Sequence, residues 1–196
     1  MESTTVAAPP DCDPVAIGRT GCLWAAPGGT IAGSGIARRI PVERGPNAAT
    51  PPAAQATLAA MAGHNGVGGP GTGPLGFAAF PFDRAAAGEL VVPEVVVGDV
   101  DGRRWLTVTG ISVDEGIERA IAAPRPGAVA PPEARVESVV APDTWRDTID
   151  GGTIDEIRAG ALTKAVLARE LRIGAGADFD VAAIVDRLLA VPQAAM

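Results

Sequence analysis

The sequence predicts an α+β fold built on antiparallel sheet, and three observations carry that reading. Apolar and β-branched runs are joined by short turn signals, as where Asp101-Gly102 links the run 91–97 to the run 105–109. Helical patterning appears between hairpins and does not alternate strictly with single strands. No internal repeat is present. At 196 residues the chain can enclose one sizeable core, as one domain or as part of a larger one.

Taken in order, residues 1–20 read as a disordered tail, since the first ten are rich in Ala, Pro and Thr. Residues 21–40 read as a hairpin. Cys22-Leu23-Trp24-Ala25 runs out, Pro27-Gly28-Gly29 turns, and Thr30-Ile31-Ala32 returns. A Pro/Gly/Asn-rich loop covers 45–52. The alanine-rich stretch 53–62, with Leu58 and Met61 three apart, predicts a helix. A glycine-rich loop over 63–73 leads to a buried strand over 75–80, and a Pro/Ala-rich connection covers 122–132. A helical region over 143–159 opens on Asp143 as N-cap and places Trp145, Ile149, Ile154 and Ile157 near one face. Gly151-Gly152 in its middle costs roughly 2 kcal/mol of helix propensity and predicts a kink or break. Residues 162–171 read as a strand. Asp180 then caps an amphipathic helix with Val181, Ile184, Val185, Leu188 and Leu189 on its apolar face, ended by Pro192.

Composition narrows the function. Acidic residues outnumber basic ones 23 to 16, a formal net charge of −7, which argues against a nucleic-acid partner. No apolar run reaches the ~20 residues that span a bilayer, so no membrane partner is expected. The start Met1-Glu2-Ser3-Thr4-Thr5 lacks the basic and apolar stretches of a signal peptide, which points to the cytoplasm. Cys12 and Cys22 form no CxxC pair. His64 is the single histidine and reads as an exposed side chain, so Cys and His cannot assemble a zinc site; a Ser-His-Asp triad would have to use that one residue, and no GxSxG accompanies it. Gly66-Val67-Gly68-Gly69-Pro70-Gly71 spells GxGxxG. It reads as following helix and preceding a proline-punctuated loop, which is the wrong setting for a dinucleotide.

One residue stands apart. Against fifteen arginines there is a single lysine, Lys164. Arginine cannot give up its proton in a protein, whereas lysine can, and burial helps it do so. On the expected strand, alternation puts Lys164 on one face with Val166, Ala168 and Glu170, among small and apolar neighbours. A neutral amine at near-neutral pH costs roughly 3.5 kcal/mol, which a sequence selected only for stability would avoid. The plainer alternative is a lysine reaching solvent from the strand end or pairing with Glu170.

Lys164-Ala165-Val166-Leu167-Ala168-Arg169, behind Glu156-Ile157-Arg158-Ala159-Gly160, resembles the helix-then-KVVLAR segment of chorismate-utilising enzymes, and among them isochorismate synthases. Three more blocks agree in order: 23–35 (Leu23-Trp24-Ala25-Ala26-Pro27 onward), 76–83 (Gly76-Phe77-Ala78-Ala79-Phe80 onward) and Leu90-Val91-Val92-Pro93-Glu94. The resemblance runs from about Gly21 to Pro192. It implies the N-terminal part of a chorismate-binding domain over 21–196, members being about twice as long. It also implies Lys164 as catalytic base, because members that use water as nucleophile carry lysine where ammonia-using ones carry glutamine. Chorismate is then the substrate and isochorismate the product, serving menaquinone or siderophore synthesis. Mg²⁺ is the implied cofactor, with its ligands and the general acid in a C-terminal half lying beyond this chain or on a second polypeptide. Trp145, Asp143 and Arg169 resemble family scaffold. Salicylate synthase is the enzymatic alternative, and a non-catalytic remnant is the other.

Overall fold

A computed structural model describes residues 1–42, 50–81, 83, 85–124 and 133–190. The expected loop over 45–52, the connection over 122–132 and the stop at Pro192 lie wholly or partly outside them. Two compact units form, one from 1–127 with 181–196 and one from 128–180.

The first unit contains β1 (Ser3–Ala7), α1 (Pro14–Gly18), β2 (Cys22–Ala26), β3 (Gly29–Ser34), β4 (Arg38–Val42), α2 (Thr50–Ala59), β5 (Ala62–Asn65), β6 (Phe77–Ala79), β7 (Gly88–Val92), β8 (Val95–Val100), β9 (Arg103–Thr109) and α3 (Val113–Ala122). Its larger sheet has the order β2-β3-β8-β9-β1-β5, and a smaller one the order β4-β7-β6. All pairs are antiparallel except β1 with β5. The fold is therefore α+β on mostly antiparallel sheet, with one parallel pair at an edge.

Turn chemistry explains the hairpins. Gly28 at φ 99° turns β2 into β3, and Asp101 (φ 51°) with Gly102 (φ 76°) makes the tight β8–β9 turn. Pro93 splits the run 91–97, sending β7 to the smaller sheet and β8 to the larger. On one face of the larger sheet, Ala32, Val95, Val97, Leu106 and Val108 form a core with Cys12, Ile17 and Ala120. Met61, Leu90 and Val92 form a second cluster with Ile40, Ala54 and Leu58.

The disordered tail expected over 1–20 is incorrect. β1 pairs along its length with β9, Ser3 and Thr5 are buried, and Thr5 shares a 2.8 Å hydroxyl hydrogen bond with Thr107. Asp13 caps α1 by accepting from the Val15 amide, with Pro14 in the first turn. The buried strand expected over 75–80 is also corrected. Only Phe77–Ala79 is strand, at a sheet edge, with Ala78 and Ala79 exposed. GxGxxG follows strand β5 and not helix, but no helix opens after it. Asn65 Oδ1 instead accepts from the Val67 and Gly68 amides, closing the loop on itself.

The second unit holds β10 (Ala134–Ser138), α4 (Pro142–Thr148), a π-helical turn (Ile149–Thr153), α5 (Ile154–Arg158) and β11 (Leu171–Ala175). β10 and β11 pair in register from Ala134↔Ala175 to Ser138↔Leu171. The break expected at Gly151-Gly152 takes the form of the π turn, which keeps the helix continuous. Returning to the first unit, α6 spans Val181–Ala190.

Candidate active site

The site is best built from the helix that precedes Lys164. Trp145, Ile149, Ile154 and Ile157 are half-buried on α4, the π turn and α5, as the sequence pattern predicts. The helix ends in a glycine cap. Gly160 takes φ 77°, its amide donates to the Ile157 carbonyl at 3.1 Å, and the Ala161 amide donates to the Glu156 carbonyl at 2.9 Å. This crossed pair of bonds reverses the chain and launches 161–170 away from the helix end.

That segment is irregular and exposed throughout, so two expectations about Lys164 are corrected. It does not lie on a strand, and its side chain is not buried. Val166, expected beside it on a half-buried face, is 91% exposed. The physical reason is the lack of a partner strand among the described residues. β10 pairs with Leu171–Ala175 and its last contact reaches only the Glu170 carbonyl, which accepts from the Val139 amide at 3.2 Å. Pro142 then turns the chain into α4. The stretch 163–169 has strand-like sequence and no ladder to join.

A single side chain holds the middle of this stretch. The Trp145 indole N–H donates to the Ala168 carbonyl at 3.2 Å, and the Arg169 guanidinium lies 5.9 Å from the centroid of the same ring. Asp143 pairs with Arg146 on the helix surface at 2.5 Å, and its side chain makes no capping bond.

Concave surfaces lie elsewhere. A groove of about 720 Å³ runs along the β10–β11 ribbon, lined by Glu133, Arg135, Glu137, Arg172 and Ile173 among others. A cleft of about 490 Å³ in the first unit is lined by Asp13, Thr30, Asp99 and Arg104 among others. Lys164 lines neither. Among the described residues no three of His, Cys, Asp and Glu converge as metal ligands. Nor is any helix among them long and apolar enough to cross a membrane.

Sequence reasoning missed α3 and β10. Ser112 caps α3 by accepting from the Glu115 amide at 3.2 Å, and the Ser112-x-x-Glu115 spacing is a capping signature that was there to be read. β10 alternates apolar Val136 with charged Arg135 and Glu137, a strand signal obscured by its short length.

The family model described as chorismate binding enzyme matches residues 18–195, nearly the whole chain, and the chain belongs to that family. Comparison with curated proteins and with solved structures returns no match. Membership implies a small-molecule substrate.

Proposed function

We propose that this chain contributes the general base of an isochorismate synthase, and that Lys164 is that base. The observation that carries the reading is the KAVLAR segment itself. In a chain with fifteen arginines the one lysine falls inside it, within the family match. The neutral amine takes a proton from water as the water oxygen bonds to C2 of chorismate. The ring double bonds shift and the C4 hydroxyl leaves with a proton from an acid. Hydroxyl is gained at one carbon and lost at another, so the reaction is an isomerisation with balanced atoms.

The exposure of Lys164 bears directly on this reading. A general base acts on a bound and oriented substrate, so an exposed Lys164 requires a covering surface. The 128–180 unit is suited to receive one. β10 and β11 place Ala134, Val136, Ile173, Ala175, Ser138 and Leu171 on one face, with Val136 and Ile173 more than half exposed. The opposite face carries Arg135, Glu137 and Arg172. A completing segment, continuous with this chain or on a second polypeptide, would cover the apolar face and bring the acid and the magnesium ligands.

A second reading, a non-catalytic member of the family, is favoured by the same exposure. Chorismate turnover separates the two. The active reading expects isochorismate from the completed protein and its loss in Lys164→Arg, which keeps the charge but cannot release the proton. Retained activity in Lys164→Arg would remove the base assignment, and a completed protein that binds chorismate without converting it would establish the second reading. Salicylate among the products would assign the pyruvate-eliminating branch.

A further inference from the structure

We propose that Trp145 is the positioning residue for Lys164, holding the segment that carries the amine by its indole N–H and by its ring face. The inference rests on the reading of Lys164 as the base and adds to it the group that places the base. Lys164 lies between two fixed ends. At one end the Ala161 and Leu162 amides both donate to the Glu156 carbonyl, at 2.9 and 3.2 Å. At the other the Glu170 carbonyl accepts from the Val139 amide. Between them, among the described residues, the single hydrogen bond to 163–169 comes from Trp145 Nε1 to the Ala168 carbonyl.

The second contact comes from the next residue. Arg169 lays its guanidinium over the same ring at 5.9 Å, so one side chain grips two successive residues by different chemistry. The indole hydrogen bond sets where the backbone runs, and the ring–guanidinium contact sets which way it faces. Trp145 is itself held one turn before the π-helical insertion at Ile149–Thr153. An inserted residue changes the phase of the helix, so the turn relates the direction of Trp145 to that of the Gly160 cap that launches the segment. An extended chain with free amides and carbonyls samples many conformations, and a catalytic amine displaced by about 1 Å can lose about a hundredfold in rate. Trp145 restricts that sampling without touching the reacting atoms.

The lone lysine supplies the test. A lysine-specific endoproteinase has one site in this chain, the Lys164–Ala165 bond. Cleavage requires the segment to leave its anchored conformation, and when reclosing is fast its rate reports the open population. In the full chain, Trp145→Phe keeps a ring for Arg169 and removes the N–H. It is expected to speed cleavage about fivefold, the loss of one ordinary hydrogen bond. Trp145→Leu removes both contacts and is expected to speed it further, with the urea midpoint of the first unit unchanged in both variants. Equal cleavage rates in wild type and Trp145→Phe overturn the proposal, as does acceleration matched by a fall in that midpoint. Where wild type turns over chorismate, Trp145→Phe is expected to lower kcat about fivefold at unchanged KM, and a raised KM with unchanged kcat counts against positioning. The two readings fail separately. Turnover retained in Lys164→Met, with cleavage of Trp145→Phe still accelerated, removes the base and keeps the anchor.

Discussion

At Gly98 of β8, an added Cβ would lie 2.2 Å from Cζ2 of the fully buried Trp105. The indole needs the bare backbone of Gly98 on one side and approaches Gly71 on the other. Gly98→Ala is therefore expected to destabilise by about 1–3 kcal/mol through overpacking, read as a lower urea midpoint with the Trp105 emission as probe. An unchanged midpoint would mean the ring can shift. Cys12 offers a pH test at the same scale. Burial pushes its thiol above the ordinary 9.0, with Arg104 pulling it back and Asp11 adding to the rise. The folded state thus favours the protonated thiol. Its contribution to stability is intact below pH 9 and is lost as pH rises through the raised folded value. Alkylation of Cys12 in the folded chain is expected to be slow at pH 8 and to speed up on unfolding, and equal rates in both states would contradict the burial.

At the scale of elements, α6 shows how one ion pair can dock a helix. Arg19 lies with only 5% of its side chain exposed, and Asp186 of α6 pairs with its guanidinium. The helix leaves Val181, Ile184, Leu188 and Leu189 between 40% and 68% exposed, so much of its apolar surface stays in water and the ion pair is one of the contacts that dock it. Asp186→Ala would leave the Arg19 charge buried and unmatched, which costs a few kcal/mol unless α6 swings away and water reaches it. The expected result is faster amide exchange across 181–190, with the β8 and β9 amides unchanged. Loss of protection in the sheet as well would show that α6 is part of the core. Elements such as this helix and the β2–β3 and β8–β9 hairpins were legible in the sequence, because a 3.6-residue period or a glycine turn is local. β1 was not. Its partner β9 is about a hundred residues away, and small residues such as Ser3 and Thr5 carry no apolar alternation although both are buried. The Lys164 stretch fails in the opposite direction. Its residues have strand propensity, but a strand exists only with a neighbour, and composition says nothing about whether one is present. The lysine and its motif were legible. Its exposure and the Trp145 grip were not, since both depend on where the Gly160 cap sends the chain.

Across the whole molecule the two units differ in what holds them. The first encloses Trp105, Ile17, Leu106 and the valines of β8 and β9, enough apolar burial to offset chain entropy. In the second, no described residue is fully buried, and Val136, Val166, Leu171 and Ile173 are exposed. A two-stranded ribbon with both faces wet is marginal in water, so the 128–180 unit is expected to lack a cooperative transition of its own. The three tryptophans allow this to be read. Trp24 and Trp105 report the first unit and Trp145 the second. In a chain retaining only Trp145, emission should drift with urea without a sigmoid, while a chain retaining only Trp105 should show a sharp midpoint. The same exposure predicts strong binding of an apolar reporter dye, reduced when Val136, Val166 and Ile173 are replaced together by threonine, which removes apolar surface and keeps β-branching. A covering segment that completes the fold should abolish dye binding and give Trp145 a midpoint. A sharp Trp145 transition in the chain alone, with no dye bound, would show that the unit is stable without a covering segment. The proposed base would then have to work from solvent, and the non-catalytic reading would be preferred.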